Sequence, residues 1–354
     1  MIDTLKENKE IWDLFTRKEE YNPIFTDQYN RFPYYLSKYR DIFEPKVSKF
    51  LLENGLKPEY PENRKFAVCL THDIDIIFPS VADTLYFTAK LLMSGQKKDA
   101  KRIFFSRFSK NINPFYNFRQ IMELEKKYNA KSSFYFLVQN PKDKEYGYNI
   151  EELKEELHYI KDSGWEVGLH GSHTSYNNLE DIKFRKQKLE KLLGKKIVGY
   201  RNHYLRFKVP DTWQFLKDAG FKYDTTLGYW DCAGFRNGMC NPFKPFNLNS
   251  NKEIDIIELP LNIMDGSIFS SFINGNPMEL GFENAWELIK SLIDTVERYR
   301  GVITILWHNT SMLGNGLELY EKILKYCYEK DAWITSGEEI CNWCLYNKES
   351  LVCD

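Results

Sequence analysis

The segment Phe66-Ala67-Val68-Cys69-Leu70-Thr71-His72-Asp73-Ile74-Asp75 begins the regular part of this chain. Its first five residues are apolar and predict a buried strand over 66–70, with two carboxylates just past the strand. Similar short runs rich in β-branched or aromatic residues predict strands at 132–138, 166–169, 197–200, 254–259 and 302–306. Helical spacing of apolar residues lies between them, most clearly at 151–162, 179–193 and 284–300. This alternation predicts an α/β fold with a mostly parallel sheet, and so many units suit a barrel.

Two segments lie outside this alternation. Residues 1–65 are aromatic and charged, include a helical run over 35–52, and end in a stretch broken by Pro58 and Pro61. A long helical insertion, at about 80–128, separates the first two predicted strands. We therefore predict a helical N-terminal extension over 1–65 and a barrel domain over 66–354 that contains the insertion.

Composition excludes several classes of function. The chain has 354 residues and a formal net charge of −1, so no basic field attracts nucleic acid. No apolar run is long enough to span a membrane, and the N-terminus lacks the layout of a signal peptide. The odd count of seven cysteines favours reduced thiols over a disulfide framework. We predict a cytoplasmic protein with neither a nucleic-acid partner nor a membrane span, and its oligomeric state stays open.

The histidines are concentrated in a few places. Five of the six fall in short clusters that also contain Asp, Arg or Tyr, at 71–75, 169–173, 200–204 and 306–309. Each cluster follows a predicted strand, and α/β proteins build their active sites at the carboxyl ends of strands. This distribution indicates a single site assembled from four segments.

The acidic pair and the first histidine pair suit a metal hydrolase. Of Asp73 and Asp75, one carboxylate can hold a divalent metal while the other takes a proton from water; the alternative is a pair of capping aspartates. His170 and His173 lie in a Gly/Ser turn, where two neutral imidazoles can converge on one ion. The alternative for each histidine is an ordinary surface position.

The other two clusters suit acyl-transfer chemistry. Arg201 can orient a carboxylate through charge-assisted hydrogen bonds, although a structural Arg–carboxylate pair would need the same residues. Groups near Arg201 can also donate to an oxyanion. His308, delivered by an apolar strand, is placed to act as a general acid, and a core histidine is the alternative.

In this order the four clusters resemble the motifs of the polysaccharide deacetylase family, carbohydrate esterase family four, over roughly 66–309. Residues 131–137 resemble the second strand of that family. The spacer between the aspartates of Thr71-His72-Asp73-Ile74-Asp75 is similar to a divergent branch, which also shares Gly234-Phe235-Arg236. The resemblance implies a distorted (β/α)7-type barrel.

The resemblance also implies a divalent metal, in the first place Zn²⁺, and a set of site residues. Its implied metal ligands are Asp75, His170 and His173. Its implied catalytic residues are Asp73 as general base, Arg201 to orient it, Tyr204 through its amide at the oxyanion, and His308 as acid to the leaving amine. Its implied substrate-binding residues are His203, Asp231 and Arg236, of which Asp231 also matches a motif that tunes the catalytic acid.

Two departures from the family pattern concern the site. The family spaces its two histidines four residues apart, whereas Thr174 stands at that position here and His173 comes one residue early. His203 replaces the proline of the family's Arg-x-Pro-Tyr motif.

The resemblance implies a metal-dependent deacetylase, a hydrolase of carbon–nitrogen bonds, that acts on an acetylated sugar or glycan precursor in surface-polysaccharide biosynthesis. Two alternatives stay open. One is a catalytically weak or inactive relative that binds carbohydrate, and the other is a metal hydrolase of a different amide bond.

Overall fold

The computed structural model describes residues 1–93, 95–106, 108, 112–143, 146–269 and 277–347. The strands are β1 Ala67–Ile74, β2 Ser133–Leu137, β3 Glu166–Gly171, β4 Gly199–Asn202, β5 Tyr223–Asp224, β6 Phe246–Asn247, β7 Lys252–Glu253, β8 Ile257–Glu258, β9 Leu261–Met264, β10 Val302–Leu306 and β11 Trp333–Thr335. The α-helices are α1 Ile2–Lys6, α2 Lys9–Phe15, α3 Lys46–Glu53, α4 Val81–Met93, α5 Lys97–Phe105, α6 Phe118–Lys127, α7 Lys154–Asp162, α8 Leu179–Leu193, α9 Asp211–Asp218, α10 Asp265–Ile268, α11 Phe282–Arg298, α12 Gly314–Glu329 and α13 Gly337–Tyr346.

One curled parallel sheet organises the described residues. Its strand order is β8-β5-β4-β3-β2-β1-β10-β9, and β11 also pairs with β1. The ladders are parallel throughout. The two ends of this order, β8 and β9, are separated along the chain by only Leu259 and Pro260, so the sheet curves back toward itself. The distorted barrel expected from the sequence is therefore confirmed.

The strand boundaries differ from the predicted ones in a way that matters for the site. β1 continues to Ile74 because residues 71–74 pair with 133–136 of β2. Asp73 therefore lies inside the strand, and Asp75 directly follows it. The sequence missed β5, β9 and β11, which are two to four residues long. Such short strands leave too few residues for a periodic pattern.

The predicted helical run over 35–52 is wrong. Only a single turn at Tyr34–Leu36 and helix α3, Lys46–Glu53, are helical in that segment. Pro45 immediately precedes α3. A proline ring inside a helix would clash with the preceding turn and remove a hydrogen bond, so the helix begins after it.

The N-terminal extension packs against the barrel. Its buried apolar side chains belong to the same hydrophobic core as the strands, and they include Leu5, Leu14, Phe15, Val47 and Leu51. Arg17, fully buried, donates to the carbonyl of Arg236 at 2.7 Å and to the Tyr229 hydroxyl at 2.9 Å. The domain boundary at residues 65 and 66 stays a prediction.

Two tyrosines and a glutamate fill the barrel interior below the site. The hydroxyls of Tyr135 and Tyr223 lie 2.9 Å apart, and Tyr223 donates to Glu166 at 2.7 Å. Both rings need glycine beside them: a Cβ at Gly168 would lie 2.4 Å from the Tyr135 ring, and one at Gly199 would lie 2.3 Å from the Tyr223 hydroxyl. These close approaches position β2, β3 and β4 relative to one another.

Glu166 predicts a specific dependence of stability on pH. Burial, and then the charge of Glu338, raise the pKa of Glu166 from 4.5 to about 7. The folded state thus binds this proton more tightly than the unfolded state, so stability falls as pH rises between those values. We expect the unfolding free energy of Glu166→Gln, relative to the parent, to rise by up to about 3 kcal/mol from acid to neutral pH. Urea unfolding at pH 5 and pH 8 tests this, and an equal difference at both values would contradict it.

Candidate active site

Four strands of the sheet, β1, β3, β4 and β10, bring the predicted histidine clusters to one edge of the barrel. In the ladder between β3 and β4, His170 pairs with Arg201, and in the ladder between β1 and β10, Thr71 pairs with Leu306. Because the strands are parallel, their carboxyl ends meet at the same rim. Asp73, His170 and His308 lie together at this rim and line one pocket.

Three side chains converge at the centre of the rim. Asp75 Oδ1 lies 3.2 Å from His170 Nε2 and 3.4 Å from His203 Nδ1, and the two nitrogens are 3.1 Å apart. Among the described residues this is the only group of three His, Cys, Asp or Glu side chains close enough to share an ion. A tetrahedral ion with ligands at about 2.0–2.2 Å separates neighbouring ligand atoms by about 3.3–3.6 Å. The three distances are close to that spacing.

The hydrogen bonds of His170 show why this group suits a cation. His170 Nδ1 lies 3.0 Å from the carbonyl oxygen of Arg201, which can only accept, so Nδ1 carries a proton. The other ring nitrogen, Nε2, faces Asp75 Oδ1, which is buried without a hydrogen-bond partner. Burial alone would raise the pKa of Asp75, but the imidazoles of His203 and His170 hold it well below its usual value. A buried carboxylate oxygen without a hydrogen-bond partner, within 3.4 Å of two imidazole nitrogens, is a donor set that fits a divalent metal.

His173, the third ligand expected from the sequence, is not in this group. β3 ends at Gly171, and a turn follows in which the Ser172 amide donates to Ser175 Oγ at 2.9 Å. This turn directs the His173 ring to Arg206, whose Nη1 lies 2.6 Å from His173 Nδ1. The structure places His203, and not His173, beside Asp75 and His170 as the third member of the group. His203 stands where the family's Arg-x-Pro-Tyr motif has its proline, and this departure was the signal in the sequence that the residue belongs to the site.

Asp73 and Arg201 lie next to the histidine group, as expected. Asp73 Oδ2 is 3.7 Å from His170 Nε2, and Asp73 Oδ1 is 3.7 Å from Arg201 Nε. Arg201 is fully buried and donates to Thr225 Oγ1 at 3.0 Å and to Thr71 Oγ1 at 2.8 Å. The two threonines hold the guanidinium beside the Asp73 carboxylate.

His308 lies beside the other carboxylate oxygen of Asp75, with its Nε2 3.6 Å from Asp75 Oδ2. Its other nitrogen, Nδ1, lies 2.6 Å from Asp265 Oδ1, and its backbone amide donates to Asp265 Oδ2 at 2.9 Å. Burial lowers the pKa of His308, but the charge of Asp265 and the hydrogen bond to it outweigh burial, and the pKa rises to about 10. The imidazole is therefore held protonated with Nε2 facing the pocket.

Sequence reasoning missed Asp265 and proposed Asp231 as the residue that tunes His308. Asp265 directly follows the unpredicted strand β9, so the signal that identified the other clusters was absent. The carboxylate of Asp231 accepts from the backbone amide of Tyr34 at 3.0 and 3.1 Å, and it therefore holds the N-terminal extension.

Arg236, predicted to bind substrate, lies away from the pocket. Its side chain is 2% exposed, pairs with Glu20 at 2.6 Å and donates to the Gly228 carbonyl at 2.6 Å. Because these groups occupy its guanidinium in the interior, the structure gives Arg236 a role in joining the extension to the barrel.

The pocket above the histidine group has a volume of about 780 Å³, and the N-terminal extension forms one wall. Tyr204 has a left-handed backbone (φ 60°, ψ 13°), and its ring stacks on Tyr29 with centroids 4.6 Å apart. Arg31 donates to the Tyr204 carbonyl at 3.0 Å and lies 4.2 Å from the Trp230 ring centroid. Residues 29–31 thus fix the peptide at Tyr204, whose amide the sequence assigned to oxyanion binding.

The contrast between Asp265 and Asp231 gives a direct prediction. We expect Asp265→Asn to lower kcat for deacetylation, the reaction that the sequence resemblance implies, by about 10²- to 10⁴-fold. An amide stabilises the protonated imidazole much less than a carboxylate does. Zinc affinity should change little, since Asp265 lies outside the histidine group. Asp231→Asn is the matched control and should change kcat less than about ten-fold. Equal losses in the two variants would contradict the assignment.

Comparisons with known proteins support the sequence resemblance. No family model matches the chain. A peptidoglycan deacetylase of Helicobacter pylori is 27% identical over 248 residues, which cover 62% of this chain and 80% of that protein. The fold is similar to that of a "putative polysaccharide deacetylase" from Mycobacterium smegmatis (TM-score 0.58, 17% identity) and a "probable polysaccharide deacetylase" from Pseudomonas aeruginosa PAO1 (0.57, 13%). Each match covers 83% of this chain and 95% of the solved one.

These similarities confirm the resemblance to the polysaccharide deacetylase family and the barrel that it implied. The divergent branch suggested by the spacer between the two aspartates stays a prediction.

Proposed function

We propose that this protein is a metal-dependent hydrolase that removes an acetyl group from a sugar or glycan precursor. The observation that carries the proposal is the convergence of Asp75 Oδ1, buried without a hydrogen-bond partner, on the imidazole nitrogens of His170 and His203. Asp73 and protonated His308 lie beside this group. A metal hydrolase of amides needs a cation site with a base and an acid beside it, and these side chains supply them.

The residues that would hold the metal are Asp75, His170 and His203. A divalent cation, in the first place Zn²⁺, supplies Lewis-acid polarisation of the acyl carbonyl and makes water a stronger acid near neutral pH. One carboxylate and two imidazoles are a common donor set for catalytic zinc, with a further position left for water or substrate.

The surrounding side chains divide the proton transfers between them. Asp73 accepts the proton of the attacking water, and Arg201 orients that carboxylate. The backbone amide of Tyr204, fixed by residues 29–31, donates to the oxygen on which negative charge develops. His308 then gives its Nε2 proton to the departing amine, and Asp265 holds the imidazole in position for that transfer.

The substrate and setting of the reaction are parts of the same proposal. The name of the Helicobacter pylori relative supports an acetylated glycan as the substrate class. We propose a role in surface-polysaccharide biosynthesis in the cytoplasm. The cytoplasmic setting is supported by the six cysteines among the described residues, which are all buried and free of disulfides.

Release of acetate tests the proposal. The full chain would be stripped of metal, reloaded with Zn²⁺, and incubated with N-acetylglucosamine oligomers and with peptidoglycan fragments. We expect acetate, measured by NMR, from the reloaded protein and a loss of at least about 100-fold after stripping. Zinc binding together with saturable sugar binding, but without acetate from any acetylated sugar, would overturn the proposal in favour of a carbohydrate-binding relative.

A further inference from the structure

The first helix of the insertion exposes an uninterrupted apolar face. Helix α4 buries Thr84, Phe87 and Leu91 toward the protein. Its exposed residues follow helical spacing on the other side, and none is charged: Val81, Ala82, Leu85, Tyr86, Ala89, Leu92 and Met93. Leu85 is 57% exposed and Met93 is 89% exposed. An apolar face of this extent on a surface helix usually marks an interaction site.

The second helix of the insertion exposes a basic and aromatic face. The exposed residues of α5 are Lys97, Lys98, Lys101, Phe104 and Phe105, and Phe108 beyond the end of the helix is also exposed. Residues 81–108 contain six Lys or Arg and two Asp, a formal charge of +4, whereas the whole chain carries −1. The insertion is therefore a local positive region on a nearly neutral protein.

The two faces point away from the same small core. Phe87 and Leu91 of α4 pack with Ala100 and Ile103 of α5 in a cluster separate from the main core. Both helices direct their buried sides toward that cluster. The exposed lysines at the start of α5 follow the exposed end of α4, Leu92 and Met93, by only four to six residues, so the apolar and basic faces adjoin at the turn between the helices. We call the exposed residues named above, from Val81 to Phe108, the hairpin surface.

The hairpin surface begins at the mouth of the catalytic pocket. Phe78, Ser80 and Asp83 line the pocket, and Asp83 is in the first turn of α4. Ala82, the neighbour of Asp83, already belongs to the exposed apolar face. Whatever covers the hairpin surface therefore lies next to the entrance through which substrate reaches Asp73 and His308.

We propose that the hairpin surface docks on an anionic lipid bilayer, with its apolar side chains among the acyl chains and its lysines at the headgroups. An apolar face bordered by lysines is the pattern by which interfacial helices bind anionic membranes. Helix α4 has 13 residues, about 20 Å in length, so it lies along the interface and does not cross a hydrocarbon core of about 30 Å. Among the described residues, no helix has the length and apolarity to cross a membrane.

Charge favours lipid over a second copy of this chain. A symmetric dimer through this surface would bring together the exposed Lys97, Lys98 and Lys101 of two copies, and like charges across an interface oppose association. Each lysine near an anionic bilayer strengthens binding by about five-fold. The docking does not depend on the proposed deacetylation, and it would place the pocket entrance where a lipid-linked glycan presents its sugar.

Co-sedimentation of the full chain with vesicles tests the proposal without any substrate. The vesicles would be phosphatidylcholine alone, or phosphatidylcholine with 30% phosphatidylglycerol. We expect binding to the anionic vesicles and at least ten-fold weaker binding to the neutral ones or in 0.5 M NaCl.

The Leu85→Glu/Leu92→Glu variant should bind at least ten-fold more weakly, because each leucine loses its apolar burial in lipid. The triple change of Lys97, Lys98 and Lys101 to Gln should weaken binding by about 100-fold.

The matched control for the leucines is Phe184→Glu/Tyr328→Glu, which replaces side chains that are 50% and 51% exposed on α8 and α12. The matched control for the lysines is the change of the exposed Lys57, Lys252 and Lys325 to Gln. Both controls should bind vesicles as the parent does, and circular dichroism should show that every variant is folded.

Equal binding by hairpin and control variants would overturn the proposal, as would absence of vesicle binding by the parent. Sedimentation of the parent as a dimer that the leucine variant dissociates, without vesicle binding, would assign the surface to a second copy.

Discussion

Asp73→Asn is expected to lower kcat for acetate release by about 10²- to 10⁴-fold while leaving zinc affinity within a few-fold of the parent. The carboxylate is almost fully buried and lies beside Arg201, yet it is outside the group formed by Asp75, His170 and His203. Asparagine preserves the shape of the side chain but cannot take a proton from water. The loss should therefore appear in kcat and not in metal content.

Asp75→Ala provides the opposite pattern in the same pocket. Removing this ligand should abolish stoichiometric zinc binding and, with it, activity. Zinc bound per chain, measured by calorimetry and by metal analysis, separates the two variants before any rate is compared. Parent-like zinc binding by Asp75→Ala would refute the ligand assignment, and turnover by zinc-loaded Asp73→Asn near the parent rate would refute the role of Asp73 as base.

The sequence predicted the parts of the site that belong to recognisable strand segments. Asp73, His170, Arg201 and His308 lie just after the strands predicted at 66–70, 166–169, 197–200 and 302–306, and parallel pairing of those segments brings them to one rim. Composition and bounding turn residues were the signals that identified those segments. The barrel and four of the central side chains could therefore be predicted from the sequence, whereas the order of the strands in the sheet was not predicted.

The parts that the sequence did not predict depend on short elements or local turns. Asp265 follows the four-residue strand β9, which has no recognisable pattern, so its contact with His308 appears only in three dimensions. The exchange of His173 for His203 depends on the turn after Gly171 and on the left-handed backbone at Tyr204. Arg236 is a third case, because its pairing with Glu20 joins residues 216 positions apart.

His203→Ala and His173→Ala test that exchange directly. We expect His203→Ala to lower zinc affinity by more than about 100-fold, because loss of a direct ligand should exceed the 10- to 100-fold effect of losing a group that merely orients one. His173→Ala should keep parent-like zinc affinity, since Arg206 and not the histidine group is its neighbour.

The two substitutions are well matched, because each removes one imidazole from a segment of the chain that also contributes residues to the pocket lining. Competition with a chromophoric chelator gives zinc affinity, and cobalt substitution gives an independent readout, since loss of a nitrogen ligand changes the visible absorption of bound Co²⁺. If His173→Ala lost zinc and His203→Ala retained it, the four-segment site would stand with the family-like histidine pair as its ligands. The turn at Ser172 would then have to rearrange on metal binding, because its present hydrogen bond to Ser175 holds His173 away from Asp75.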